Sequence, residues 1–272
     1  MNKLTKRLIA CFDIIGGRVT KAVNFQDNID VDSAETLAEK LYEAQIDELI
    51  FYDITASNEK RKIDIEMVKK VANRVFIPFT VGGGIKNLDD MYETLKAGAE
   101  KISVDSMAVR NPQIIREGAR EFGSQCIVLS TQVKRESKMP SGYEVYIDGA
   151  RLATGLDALD WLKQVEELGA GEICLNSIDN DGTLNGYDLR LMKMAEEAVN
   201  VPLIASGGAG EPEHLRVLFT ETGSQAAIIS SMLYSPRMSR NYSVRALKDE
   251  LQSAGINVRP FFNFFEKNFE FF

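Results

Sequence analysis

Apolar residues along this chain recur at two alternating periods. Short runs rich in β-branched residues alternate with stretches whose apolar positions return every third or fourth residue, as on one helix face. The runs predict strands over residues 7–13, 48–53, 76–81, 101–105, 125–132, 172–177, 201–206 and 226–230. Helical patterns fall between and after them, over 33–44, 63–72, 88–97, 112–122, 156–168, 189–198, 213–221 and 244–254. Asn111-Pro112 supplies a cap followed by proline at the first helical position. Eight strand–helix pairs in this order predict an α/β fold, a single (β/α)8 barrel spanning residues 1–259. An open doubly wound sheet is the structural competitor.

The pattern also repeats at long range. Pro78 to Gly84 (PFTVGGG) and Pro202 to Gly208 (PLIASGG) lie 124 residues apart, as do Glu48 and Glu172. A second echo, GAEKISVDS ending at Ser106 and GSQAAIISS ending at Ser231, has an offset of 125. Solenoid repeats are far shorter, about 20–50 residues. The period therefore implies two duplicated half-barrels, which an open sheet does not explain. In a barrel the loops after the strands form the functional face. The glycine loops then follow the third and seventh strands and oppose one another, and the serine echoes follow the fourth and eighth. Gly83 and Gly84 with Asp105 and Ser106 form one candidate phosphate site; Gly207 and Gly208 with Ser230 and Ser231 form the other. Backbone N–H groups beside a hydroxyl at a helix start suit a phosphate. The implied ligand is elongated, with a phosphate at each end.

Charge and composition narrow the classes further. A net charge of −8 argues against a general binder of nucleic acid or anionic membrane. Cys11, Cys126 and Cys174 lie in apolar runs without CxxC spacing, as expected of reduced core cysteines in the cytoplasm. No apolar run approaches the ~18–20 residues of a membrane span, and the start, MNKLTKRLIA, is too short in its apolar part for a signal peptide. No cluster has metal-ligand spacing, and no cofactor is implied. The single histidine, His214, sits at a helix start, where a capping or surface role is expected. Acid–base chemistry must then rest on carboxylates, lysines or hydroxyls.

Lumen-facing residues of a strand recur every second position. Arg7, Cys11 and Asp13 share one such face, and Lys101, Ser103 and Asp105 another. Asp13 ends the first strand and Gln132 holds the related place on the fifth. Asp181, in SIDNDGT, reaches over the same mouth, and Lys21 lies in a glycine-containing loop over 14–30 that could fold over a substrate. Each has a plainer alternative: Asp13 could satisfy loop amides, and Lys21 could be a solvated surface lysine.

RLIACFDI, GRVTKAVNF, DELIFYDITAS, IPFTVGGGIK, SIDNDGTLNGYD and VPLIASGGAG together resemble the cyclase subunit family of imidazole glycerol phosphate synthase. The resemblance covers residues 3–259, and DITAS favours the cyclase over its sister isomerase. It implies a lyase of histidine biosynthesis, a glutamine amidotransferase subunit. Ammonia from a partner glutaminase, docked at the N-terminal face of the barrel as a heterodimer, would cross an internal channel. There it would convert a bisphosphorylated phosphoribulosyl aminoimidazole-carboxamide ribotide to imidazole glycerol phosphate and aminoimidazole carboxamide ribotide. Asp13 matches the first catalytic aspartate, Lys21 the mobile-loop lysine and Asp181 an active-site aspartate. Arg7, Glu48, Lys101 and Glu172 match an ammonia gate, and Thr80 and Ser103 small polar positions along the tunnel.

Three positions depart from the family pattern. Gln132 stands where an aspartate is usual, and an amide can hydrogen-bond but not exchange protons at useful pH. Asp105 replaces an asparagine beside a phosphate site, and Ile15-Gly16-Gly17-Arg18 replaces KDGR. These changes leave two alternatives open: a paralogue that conducts ammonia to a separate sugar amidotransferase, or a non-catalytic activator of the glutaminase. Residues 260–272 are expected to form an extension beyond the barrel, since 261–272 hold seven of the fourteen phenylalanines. Self-packing, partner docking or self-association would each account for so aromatic a tail.

Overall fold

The structure, a computed structural model, describes residues 4–23, 26–56, 62–236 and 238–262. Its strands are β1 (Arg7–Ile15), β2 (Arg18–Val23), β3 (Gln26–Ser33), β4 (Glu48–Asp53), β5 (Phe79–Gly82), β6 (Lys101–Val104), β7 (Ile127–Arg135), β8 (Tyr143–Ile147), β9 (Leu152–Asp157), β10 (Glu172–Ser177), β11 (Leu203–Ser206) and β12 (Ala226–Ile228). Eight of them pair in parallel in the order β1-β4-β5-β6-β7-β10-β11-β12, and β12 returns to β1. The ring is closed, so the predicted (β/α)8 barrel is present and the open sheet is excluded. The eight expected helices lie outside it, from Ala34–Glu43 to Val244–Ser253.

Closure gives the molecule two apolar compartments. Outside the ring, Leu8, Phe12, Phe51 and Phe79 of the strands share one core with Leu162 and Leu191 of the helices. Edge-to-face contacts join Phe12 to Phe51 at 4.9 Å and Phe51 to Phe79 at 5.7 Å, a favoured arrangement of ring quadrupoles. Inside the barrel, Ile9, Ile50, Val128, Ile204, Ala226 and Ile228 surround Cys11 and Cys174. The alternation of strand side chains separates the two sets: Leu8 and Phe12 face outward, Ile9 and Cys11 inward.

Helix caps carry the duplication into the structure. Ser33 and Asp157, Asp64 and Asp188, and Asn87 and Glu211 are the N-caps of corresponding helices, each pair 124 positions apart. Five of the six accept a backbone N–H through the side chain, the standard remedy for the unpaired donors of a first turn.

Two segments differ from expectation. Residues 14–30 are largely a hairpin rather than a loop: Gly16 and Gly17, at φ +56° and +78°, turn β1 into antiparallel β2, which pairs with β3. Two left-handed residues in succession are what a two-residue hairpin turn requires. The second half repeats the device, with β7 running antiparallel into β8 and β8 into β9. The fifth barrel strand also starts late, at Ile127, because Ser124–Cys126 forms a 3-10 turn.

The last helix and Phe262 are tied to the N-terminal face. Lys248, on the last helix, is fully buried and bonds the Asp47 carboxylate at 2.7 Å and the Gln45 carbonyl at 2.7 Å. Both main-chain groups of Phe262 bond the Gln45 side chain. The expected aromatic extension lies otherwise outside the described residues. Among the described residues, no helix is long and apolar enough to cross a membrane.

Candidate functional site

A cavity of about 560 Å³ opens at the C-terminal ends of the barrel strands. Asp13, Gln132, Asp181, Asp105, Gly83, Gly84, Ser106, Gly207, Gly208, Ser230 and Ser231 all line it. The structure thus brings together every site residue read from the sequence at this end except Lys21, whose side chain lies outside the described ones. In the ring of strands, β5 and β11 stand opposite one another, so the two glycine loops face across the mouth.

These glycines have steric reasons to be glycine. Gly83 and Gly84 lie at φ +87° and +74°, Gly207 and Gly208 at +91° and +103°. A Cβ on Gly83 would fall 2.2 Å from the Asp53 carbonyl oxygen, and one on Gly208 2.0 Å from that of Gly186. The turns are pressed against neighbouring loops, leaving no room for a side chain. Short helices, Ser106–Arg110 and Ser230–Tyr234, begin directly beyond β6 and β12. The serines are not equivalent. Ser106 Oγ accepts the Asp148 N–H at 3.0 Å and keeps its own proton to donate. The Ser230 hydroxyl accepts from the Cys11 N–H and donates to the Cys11 carbonyl, so it ties the start of the helix Ser230–Tyr234 to β1.

The polar groups of the site have different burdens. Asp53 accepts from the Ala56 amide and the Thr55 amide and hydroxyl, which makes it a loop staple. Asp148 is paired with Arg110 at 2.6 Å. Asp105 has its carboxyl raised to about 7 by burial and by Asp148, with Arg110 opposing. Gln132 keeps a buried amide oxygen that has no hydrogen-bond partner among the described residues. Deeper in the barrel, burial pushes the Cys174 thiol up to about 12 and raises the Tyr52 phenol. These groups stay neutral at physiological pH, with Ser103 Oγ donating to Tyr52 at 3.3 Å. His214 is occupied as expected of a capping residue, its Nδ1 accepting the Gly210 N–H at 3.1 Å.

The opposite end is closed by charge. Arg7 bonds Glu48 at 2.5 Å and also Glu172, while Lys101 bonds Glu48 at 2.6 Å and Glu172 at 2.8 Å. The four groups form an unbroken alternating ring at the strand starts, above a dish of about 610 Å³. At Arg7, Lys101 and Glu172 burial disfavours the charge but the opposite charges outweigh it, so Arg7 and Lys101 are raised and Glu172 is lowered. Between ring and mouth lie Ile9, Ile50, Val128, Cys11 and the neutral Cys174.

Residues 7–239 match the histidine biosynthesis protein family. The chain is 51% identical over 259 residues to imidazole glycerol phosphate synthase subunit HisF of Desulfosudis oleivorans, covering 94% of this chain and 98% of that one. The chain belongs to the cyclase-subunit family of imidazole glycerol phosphate synthase. Subunits of the same name from Syntrophobacter fumaroxidans and Desulfovibrio desulfuricans are 50% and 46% identical, again over 94% of this chain and 98% of theirs. Within this family the chain keeps a two-ended barrel, with polar groups gathered at one end and an ion-pair ring at the other. The sequence reading missed the hairpin turn Asp148–Ala150, which reaches over the mouth to Ser106 and Arg110. Its signal was the Asp148-Gly149 pair, a common turn dipeptide.

Proposed function

We propose that this chain is the cyclase subunit of an imidazole glycerol phosphate synthase, a lyase of histidine biosynthesis. The observation that carries the proposal is the pair of duplicated glycine loops facing one another across a single cavity. That arrangement fits a substrate with a phosphate at each end. Gly83-Gly84 with Ser106 would hold one phosphate, and Gly207-Gly208 with Ser231 the other. Ser230 would support the second site by fixing the start of the helix Ser230–Tyr234 to β1.

Asp13, at the end of β1, would exchange protons with the reacting centre, and Asp181 would act from the facing loop. Gln132 would hydrogen-bond the substrate through its amide, which suits its unpartnered oxygen. Lys21, on the first hairpin, would contribute a charge over the bound substrate. Ammonia would enter through the ring of Arg7, Glu48, Lys101 and Glu172 and pass the neutral interior to the mouth. A partner glutaminase would dock on the dish outside that ring, which Arg259 and Pro260 also line, and we take residues 260–272 as an extension of the barrel. The conduit and activator alternatives find no support among the relatives, each of which carries the synthase-subunit name.

Ammonium salt at mildly alkaline pH replaces the partner and isolates the cyclase end. The purified chain is expected to consume the phosphoribulosyl substrate under these conditions. Asp13→Asn should lower that rate by about 10²–10⁴-fold, the usual worth of a positioned acid–base group. A wild-type rate from Asp13→Asn would remove Asp13 from the chemistry.

A further inference from the structure

Asp105 stands out among the carboxylates of the cavity. By position it is the N-cap of the helix Ser106–Arg110, yet its side chain makes no capping hydrogen bond. Six other caps do so: Ser33, Asp64, Asn87, Asp157, Asp188 and Ser243. An aspartate is among the best N-caps because its oxygen accepts a first-turn N–H. At Asp105 the backbone, φ −122° and ψ −105°, forgoes that bond, and the side chain lines the cavity instead. Its carboxylate has no hydrogen-bond or ion-pair partner among the described residues. The nearest cation on its own helix, Arg110, is committed to Asp148. Asp53, by contrast, is spent on its own loop.

We infer that Asp105 is a catalytic acid–base residue of this cavity, exchanging protons with substrate bound between the two glycine loops. The inference rests on the cyclase reading above. It assigns Asp105 to the reacting centre rather than to the phosphate, which an adjacent carboxylate would repel. The transfer balances without a cofactor. Ammonia adds to the ribulosyl ketone; the carbon–nitrogen bond forms as the carbonyl pair moves to oxygen. The protonated Asp105 gives that oxygen a proton, and the new ammonium centre returns one to the carboxylate. A second transfer of the same kind expels the hydroxyl as water and leaves a carbon–nitrogen double bond. Nothing is oxidised, and Asp105 ends as it began.

Such a group works best when its pKa lies near the operating pH, and the environment of Asp105 supplies the cause. Burial and Asp148 raise it to about 7, and Arg110 opposes them. Cys174 and Tyr52 face it from the barrel interior as neutral groups. Asp13 and Asp181 lie across the mouth, and Lys86 and Arg151 complete the charged lining.

The test combines kinetics with a direct titration. With free ammonia held constant, kcat of the wild-type chain should show a limb near pH 7. Asp105→Asn, of nearly the same shape, should lose about 10²–10⁴-fold in kcat, lose that limb, and keep KM close to wild type. Asp105→Glu should recover part of the rate with a shifted limb. In carbon-13 spectra of aspartate-labelled protein, one carboxyl resonance titrating near 7 should vanish in Asp105→Asn. A folded Asp105→Asn that keeps kcat and lowers KM would overturn the inference alone, leaving Asp105 as a carboxylate that merely crowds a phosphate. A wild-type chain that never turns over would overturn the cyclase reading together with it.

Discussion

At the scale of single residues, backbone geometry is the firmest part of the site. Gly83 shows the constraint most clearly, since a methyl there meets the Asp53 carbonyl oxygen at 2.2 Å and the residue holds φ +87°. Gly83→Ala should lower stability by about 1–3 kcal/mol, the usual cost of such a conformation for a residue with a Cβ. It should also raise KM for the substrate, because the loop must move to admit the methyl. Urea unfolding and steady-state kinetics would read the two effects separately. Much at this scale was legible in the sequence, because period-two alternation places Asp13, Gln132 and the ring charges on inward faces. What was not legible depends on contacts between distant segments. Ser230 and Ser231 look interchangeable as neighbours, and only the approach of Cys11 shows that the first is already bonded. The displacement of Asp105 from its expected capping bond is equally a matter of three-dimensional backbone direction.

At the scale of elements, the eight barrel strands and eight surrounding helices follow from apolar periodicity, and their order alone dictates the ring. The two hairpins did not stand out in the same way. Gly16-Gly17 and Asp148-Gly149 mark both turns, but the strands around them carry many polar residues, as in QDNIDVDS and LATGLD. A strand with few apolar positions gives a weak period, and its pairing partner rather than its own pattern makes it a strand. The last helix illustrates a second kind of element-level dependence. Lys248 passes its ammonium into a buried pocket beside Asp47, which the Leu8 N–H also serves at 2.9 Å. Removing one member of such a pair leaves the other charge buried and costs about 3–5 kcal/mol. Lys248→Met should fall at the lower end, about 3 kcal/mol by urea unfolding, because the Leu8 bond to Asp47 remains. A loss well under 1 kcal/mol would mean that the helix does not depend on this anchor.

At the scale of the whole molecule, the barrel has one polar mouth and one charged floor, with an apolar interior between them. The floor sets a pH dependence. Burial works to raise Glu172, but Arg7 and Lys101 together hold it below its ordinary 4.5. A carboxylate depressed in the folded state contributes stability that is complete above the unfolded pKa and lost as pH falls through the folded one. Unfolding free energy should therefore decline below about pH 4.5, and Glu172→Gln should flatten that part of the decline. At the mouth, ammonia would be built into an imidazole. The most direct measurement supplies nitrogen-15 ammonium to the purified chain with the phosphoribulosyl substrate and weighs both products. One labelled nitrogen in imidazole glycerol phosphate, with none in the aminoimidazole carboxamide ribotide, is the predicted result. Unlabelled product, or no product from a folded chain at saturating substrate, would contradict it.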